Sequence, residues 1–225
     1  MHIEPGLVQE PKIILSYATA AAAGAYACWY AAKEARQGGG ALLLVRSIIA
    51  TAFVFVFFEV LPHFSAGVSE VHFIFGSTIF LLLGVAPAAF GLAFGLLLQG
   101  ILMAPNDLPQ YFVNVTTLLV PLFVVSALAE RLIARETAYV DITYKQMLSL
   151  SAAYQTGIVA WVAFWVLYGS GVEAANLESL GRFAVAYLPV ILIEPIADVA
   201  VLWTAKALHS SPVVSVLSPR LNQMG

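Results

Sequence analysis

Charge is scarce in this sequence. Only 10% of its 225 residues are Asp, Glu, Lys or Arg, while 61% are hydrophobic. A soluble domain carries about 25% charge. So little charge cannot cover a water-facing surface, which excludes a soluble globular protein and makes the chain an integral membrane protein. Basic clusters are lacking too. The formal net charge is −3, with no basic tail or stripe, so nucleic acid is excluded as a partner. Cysteine is nearly absent: Cys28 stands alone in an apolar run. Neither an intramolecular disulfide nor a thiolate metal cluster can form from it. The N-terminus lacks a basic n-region, and the first apolar run starts only near residue 13. It does not read as a cleaved signal, so the mature protein is expected to keep its first residues. The bulky His2 is expected to keep Met1 in place. No Gly-rich nucleotide loop and no Ser/His/Asp or Cys/His arrangement stands out. The chain reads as non-catalytic, with any ATP-driven work done by other chains.

What the sequence does have is long apolar stretches. A spanning helix needs about 20 mainly apolar residues, and seven candidates occur, at 13–32, 42–62, 71–84, 86–104, 113–134, 147–169 and 180–207. The third and fourth are divided only by Gly84 and Pro87. Read as one helix, 71–104 would be far too long for a single pass. The fold class is therefore all-α, a polytopic membrane bundle of about seven transmembrane helices. With seven spans, Lys33, Arg36, Arg46, Arg131, Arg135, Lys145, Lys206 and Arg220 all fall on one side. A six-span count scatters them. Basic residues mark the cytoplasmic side, so the N-terminus is expected outside and the C-terminus inside, in the inner (plasma) membrane. The expected organisation is one transmembrane domain over 1–209, followed by a short cytoplasmic tail over 210–225. Small residues recur in ATAAAAGAYA and as Gly91 and Gly95, spacings that let helices approach closely. They suit packing within the bundle or docking of another membrane subunit.

The chain begins MHIEPG. A free amine followed by histidine at position two is a chelator. The Met1 amine, the His2 amide nitrogen and a His2 imidazole nitrogen can close adjoining five- and six-membered rings around one metal. Such planar nitrogen coordination suits Ni(II) or Cu(II), and Co(II) can be accommodated. Pro5 and Gly6 would turn the segment back toward the protein. A fourth ligand is needed. His209 lies at the cytoplasmic end, whereas His63 and His72 lie on the outer side with Met1. Imidazole is the commonest side-chain metal ligand, so either can complete the site. Glu59 stands one turn before His63. Glu194 and Asp198 share a face of the last helix beside Pro195. Gln99 and Asn114 lie near the outer face and can hydrogen-bond the ligand segment from below.

An MHI start, seven spans and an outer-side Ser-x-x-His before a Gly-rich helix resemble the CbiM/NikM family. These are the substrate-binding membrane components (S components) of energy-coupling-factor ABC importers for cobalt and nickel. The resemblance covers roughly residues 1–205. It is most specific in MHI combined with SEVH at 69–72, and extends to LLLQGILMAPNDLPQYFVNVTTL, where Gln99 and Asn114 stand in matching places. It implies a planar metal site built from Met1, His2 and His72, with residues 1–12 as the metal-binding segment. His63 can replace or supplement His72. Gln99 and Asn114, which stand in matching places, and Glu59 and Glu70 beside the histidines are the candidates to support the ligands. Ni2+ or Co2+ is implied as the transported substrate, with no organic cofactor. The implied partners are a transmembrane coupling subunit and cytoplasmic ATPase subunits. Many cobalt-type members carry Ser-x-Ser-His-Pro-Thr-Gly-Thr-Gly around the histidine, where this chain has SEVHFIFGS. Glu70 adds a negative charge there, and no implied ligand is lost. Two other readings remain open at this point, a stand-alone secondary metal transporter and a non-transporting scaffold or metal sensor.

Overall fold

The computed structural model describes residues 3–4, 6–8, 11–134 and 137–207; Met1, His2, Arg135, His209 and Arg220 lie outside the described residues. Among the described residues there are seven α-helices: α1 (Ile14–Glu34), α2 (Gly40–Val60), α3 (Gly76–Leu83), α4 (Val85–Leu102), α5 (Tyr111–Leu132), α6 (Tyr144–Ser170) and α7 (Ala174–Ala207). A two-stranded antiparallel hairpin, β1 (Phe64–Ala66) and β2 (Ser69–Val71), is inserted between α2 and α3. Five of the helices, α2, α4, α5 (with the 3-10 turn before it), α6 and α7, are long and apolar enough to cross a membrane. They are apolar on every side, as helices embedded in lipid or in a large core must be. α1 has 21 residues, but its Ala- and Tyr-rich sequence places it outside that group.

Local chemistry sets the boundaries. α6 opens with a capping box in which the Thr143 hydroxyl and the Gln146 side chain satisfy each other's backbone N–H groups. α3 and α4 are separated by Gly84, whose φ of 99° suits a residue without a Cβ. α1 passes into α2 through a single π turn, Ala35–Gly39. Across that turn Arg46 Nη1 donates to Glu34 Oε1 at 2.8 Å. Arg46 lies within α2 and is buried, rather than standing at the helix mouth as a free basic marker.

Pairwise contacts fix the helix directions. Gly91 faces Ala50 and Gly95 faces Val54, so α2 and α4 run parallel. Tyr17 packs on Phe112 at 5.1 Å and Tyr26 on Phe123 at 4.8 Å between ring centroids, so α1 runs parallel to α5. Tyr154 and Trp165 of α6 donate to Leu118 and Thr116 of α5, respectively, which makes that pair antiparallel. Asn176 reaches Ser170 and Tyr187 reaches Gln155, so α7 is antiparallel to α6. The hairpin, the 3-10 turn Pro105–Gln110 and the α6–α7 turn therefore share one face of the bundle with residues 3–4 and 6–8. The Gly91 and Gly95 spacing serves packing inside the bundle, against α2.

The stretch 71–84 differs from the sequence expectation. It is not helical throughout. α3 has only 8 residues, about 12 Å of rise, and His72 stands before it rather than in its first turn. Between β2 and α3 the chain leaves the hairpin face and enters the bundle interior. Phe75, with φ 52° and ψ 31°, is the left-handed residue that turns it into the helix. Helix-free backbone at such depth persists only where protein satisfies its polar groups. Here α7 does so. Glu194 accepts the backbone N–H groups of Ile74 and Phe75, and Asp198 accepts the hydroxyls of Ser77 and Thr78. Carboxylates at a helix N-terminus are favoured by its dipole.

Candidate metal centre

The hairpin carries Ser69, Glu70 and Val71 in β2 and leads directly into His72. Gly67, with φ 68°, makes the turn between strands, and pairing of Phe64 with Val71 fixes the register. The N-terminal segment docks on the free edge of β2. Ile3 bridges Ser69 in antiparallel fashion, and Glu4 N–H donates to Val68 O at 3.1 Å. From below, Asn114 Oδ1 accepts the Ile3 N–H at 2.8 Å. Ile3 is fully buried. Further along, Ser170 Oγ donates to Leu7 O at 2.9 Å and Lys12 Nζ to Gly169 O at 3.0 Å. Gly169 is required at that crossing, because a Cβ there would run into the Leu7 carbonyl.

His72 follows β2 directly and is 1% exposed. Its Nε2 lies 2.8 Å from Glu70 Oε2. The two side chains stand two residues apart in extended chain and so point the same way. Burial is the main reason that the imidazole is held well below its usual pKa, with nearby His63 pushing the same way. A neutral ring facing a carboxylate, which can only accept, donates its Nε2–H. This is the arrangement in which a carboxylate orients a metal-binding histidine through its second nitrogen. The His63 ring stacks on His72 at 5.0 Å with 12° between planes, and Phe58 packs on the same ring at 5.2 Å. His63 itself is exposed.

The sequence-derived candidates thus divide. His72, His63, Glu70 and Asn114 gather around the docked segment. Glu59 is half-buried in the last turn of α2, and no described hydrogen bond or ion pair joins it to either histidine. Gln99 is buried in α4, its Oε1 without a hydrogen-bond partner among the described residues, and it makes no described contact with Ile3 or His72. Met1 and His2 lie outside the described residues. Among the described residues no three His, Cys, Asp or Glu side chains converge as a metal cluster. Sequence reasoning missed the β-edge docking of Ile3. The only available signal was the alternation of SEV beside a short Gly turn.

A model of the family CbiM, described as cobalt uptake substrate-specific transmembrane region, matches residues 2–210. No curated protein and no solved structure matches the chain. The family and the five long apolar helices make this a multi-pass protein of the cell membrane with a transport role.

Proposed function

Because the chain belongs to the CbiM family of cobalt-uptake transmembrane components, we propose that it captures a divalent metal as the S component of an energy-coupling-factor importer. The substrate is nickel or cobalt, held in a planar site by the Met1 amine, the amide and imidazole nitrogens of His2, and His72. The observation that carries this reading is the anchoring of Ile3. The residue that directly follows His2 is buried, bonded to Asn114 and bridged to Ser69, three positions before His72. Successive Cα atoms are about 3.8 Å apart, so the two preceding residues have short reach and start from beside that histidine.

In this reading the chain crosses the membrane seven times. The third crossing is extended over 73–75 and helical in α3. The N-terminal face, with Glu4, Glu70 and Asp107, is outside and draws in cations. Lys33, Arg36, Arg131, Lys145 and Lys206 sit toward the opposite, cytoplasmic face, in keeping with the positive-inside rule. Residues 1–209 form one domain, with 1–12 as its metal arm, and 210–225 a cytoplasmic tail. A membrane coupling subunit and cytoplasmic ATPases complete the importer. The exposed Ala18, Ala21, Ala22 and Ala25 line one side of α1 and suit a close contact with that subunit. The test is cobalt or nickel uptake by cells carrying the chain with its coupling and ATPase subunits. Uptake with the native start, and none when one residue precedes Met1, supports the reading. Equal uptake by both overturns it.

A further inference from the structure

Glu194 is fully buried in α7 and no Lys or Arg pairs with it among the described ion pairs. Its partners are instead three donors, two from the chain before α3 and one from α6. Oε1 accepts the backbone N–H of Ile74, and Oε2 accepts that of Phe75 at 3.1 Å. The Gln155 amide also donates to Oε2, and Tyr187 O–H fixes Gln155 by donating to its Oε1 at 2.6 Å. Holding two consecutive N–H groups with separate oxygens needs a carboxylate. A carboxamide has one acceptor oxygen and presents N–H to N–H at the other position. On the opposite side of His72, the hairpin register fixes the chain up to Val71. His72 and Phe73 are therefore the two residues suspended between clamps, and where the second clamp holds Ile74 decides where the imidazole stands.

We propose that Glu194, remote from the metal, is a positioning residue for the metal site, setting the placement of His72 through the backbone of Ile74 and Phe75. This rests on the reading of His72 as a ligand. It gives a deeply buried carboxyl group a role in substrate affinity that helix capping alone does not require. Loss of a group that orients a metal ligand typically weakens binding by roughly 10–100-fold.

The experiment uses the full chain with a native start, purified through a C-terminal tag, and titrates Ni2+ or Co2+ alone. Wild type, His72→Ala, Glu194→Gln and Tyr187→Phe are compared. Affinity, the circular dichroism of the metal bands and the melting temperature of the metal-free protein are read. Glu194→Gln is expected to bind roughly 10–100-fold more weakly with altered metal bands, and Tyr187→Phe to shift both in the same direction by less. Wild-type affinity and bands in Glu194→Gln overturn the inference, whatever happens to its melting temperature. Should that variant not fold, wild-type affinity and bands in Tyr187→Phe overturn it. His72→Ala separates the two levels. If it loses the metal while Glu194→Gln binds normally, only the positioning role falls. If His72→Ala binds as wild type does, the proposed site falls and the positioning role with it.

Discussion

Asn114 accepts the backbone N–H of Ile3 at 2.8 Å across 111 residues of sequence. One side chain of α5 therefore decides where the N-terminal segment lies relative to β2. Replacing Asn114 by Ala leaves a fully buried N–H without its acceptor, a penalty of about 1–3 kcal/mol. The segment should then leave the edge of β2 for part of the time. The expected result is weaker metal binding together with faster protease cleavage near residues 3–12, and both are read on the purified chain. Unchanged cleavage and unchanged affinity would show that the hydrogen bond does not hold the arm.

Glu70 and His63 both touch His72, but in different ways. Glu70 bonds its Nε2, whereas His63 stacks on its face. Glu70→Ala should weaken metal binding by roughly tenfold or more. Glu70→Gln keeps an acceptor for the Nε2–H and should lose less. His63→Ala should bind near the wild-type level. Titration of the three variants with cobalt checks the order. A His63→Ala variant that loses the metal would make the exposed histidine a ligand.

Acid should weaken metal binding, because the ligands must shed protons to coordinate. Burial already holds His72 neutral, so it does not govern the titration. The groups that compete with protons are the Met1 amine, with an ordinary pKa of about 7.7–8.0, the His2 imidazole, at about 6.5, and the His2 amide, which gives up its proton only on coordination. Affinity should be highest above about pH 8 and fall steadily through 6.5. A curve flat from neutral pH to about pH 5 would exclude the Met1 amine and the His2 imidazole as ligands.

The seam between α2 and α4 gives a control remote from the metal. A Cβ on Gly95 would lie 2.6 Å from Val54 Cγ1, and one on Gly91 would collide with Ala50. Gly91→Val should destabilise by about 1–3 kcal/mol through overpacking. Its melting temperature should drop while the folded fraction keeps wild-type metal affinity. A parallel loss of affinity would mean that the seam shapes the site.

The helices were legible because apolar runs of spanning length punctuated by Gly and charge leave few alternatives. Gly84 reads as a break in the sequence, and its positive φ makes it one. The stretch VHFIFGSTIFLLL was not legible in the same way. Its composition serves an extended chain and a helix equally well, and what keeps Ile74 and Phe75 out of helix is Glu194, some 120 residues away. The pairing of Glu194 and Asp198 on one helix face was visible from their spacing, but their partners in α3 were not. At the site, His72 and Asn114 could be singled out as polar residues in an apolar chain. The bond from Asn114 to a backbone N–H could not, because backbone groups look alike in every sequence. The hairpin was hidden by its size, with three residues in each strand.

If the free N-terminus and His72 hold one ion between them, metal content shows it first. It is read by elemental analysis of protein purified with a C-terminal tag and an untouched Met1, beside a sample with one extra residue before Met1 and a third carrying His72→Ala. About one nickel or cobalt per chain is expected in the first sample and almost none in the other two. Equal metal in the native and extended samples would contradict it, because an amide in place of the amine cannot complete the planar nitrogen set.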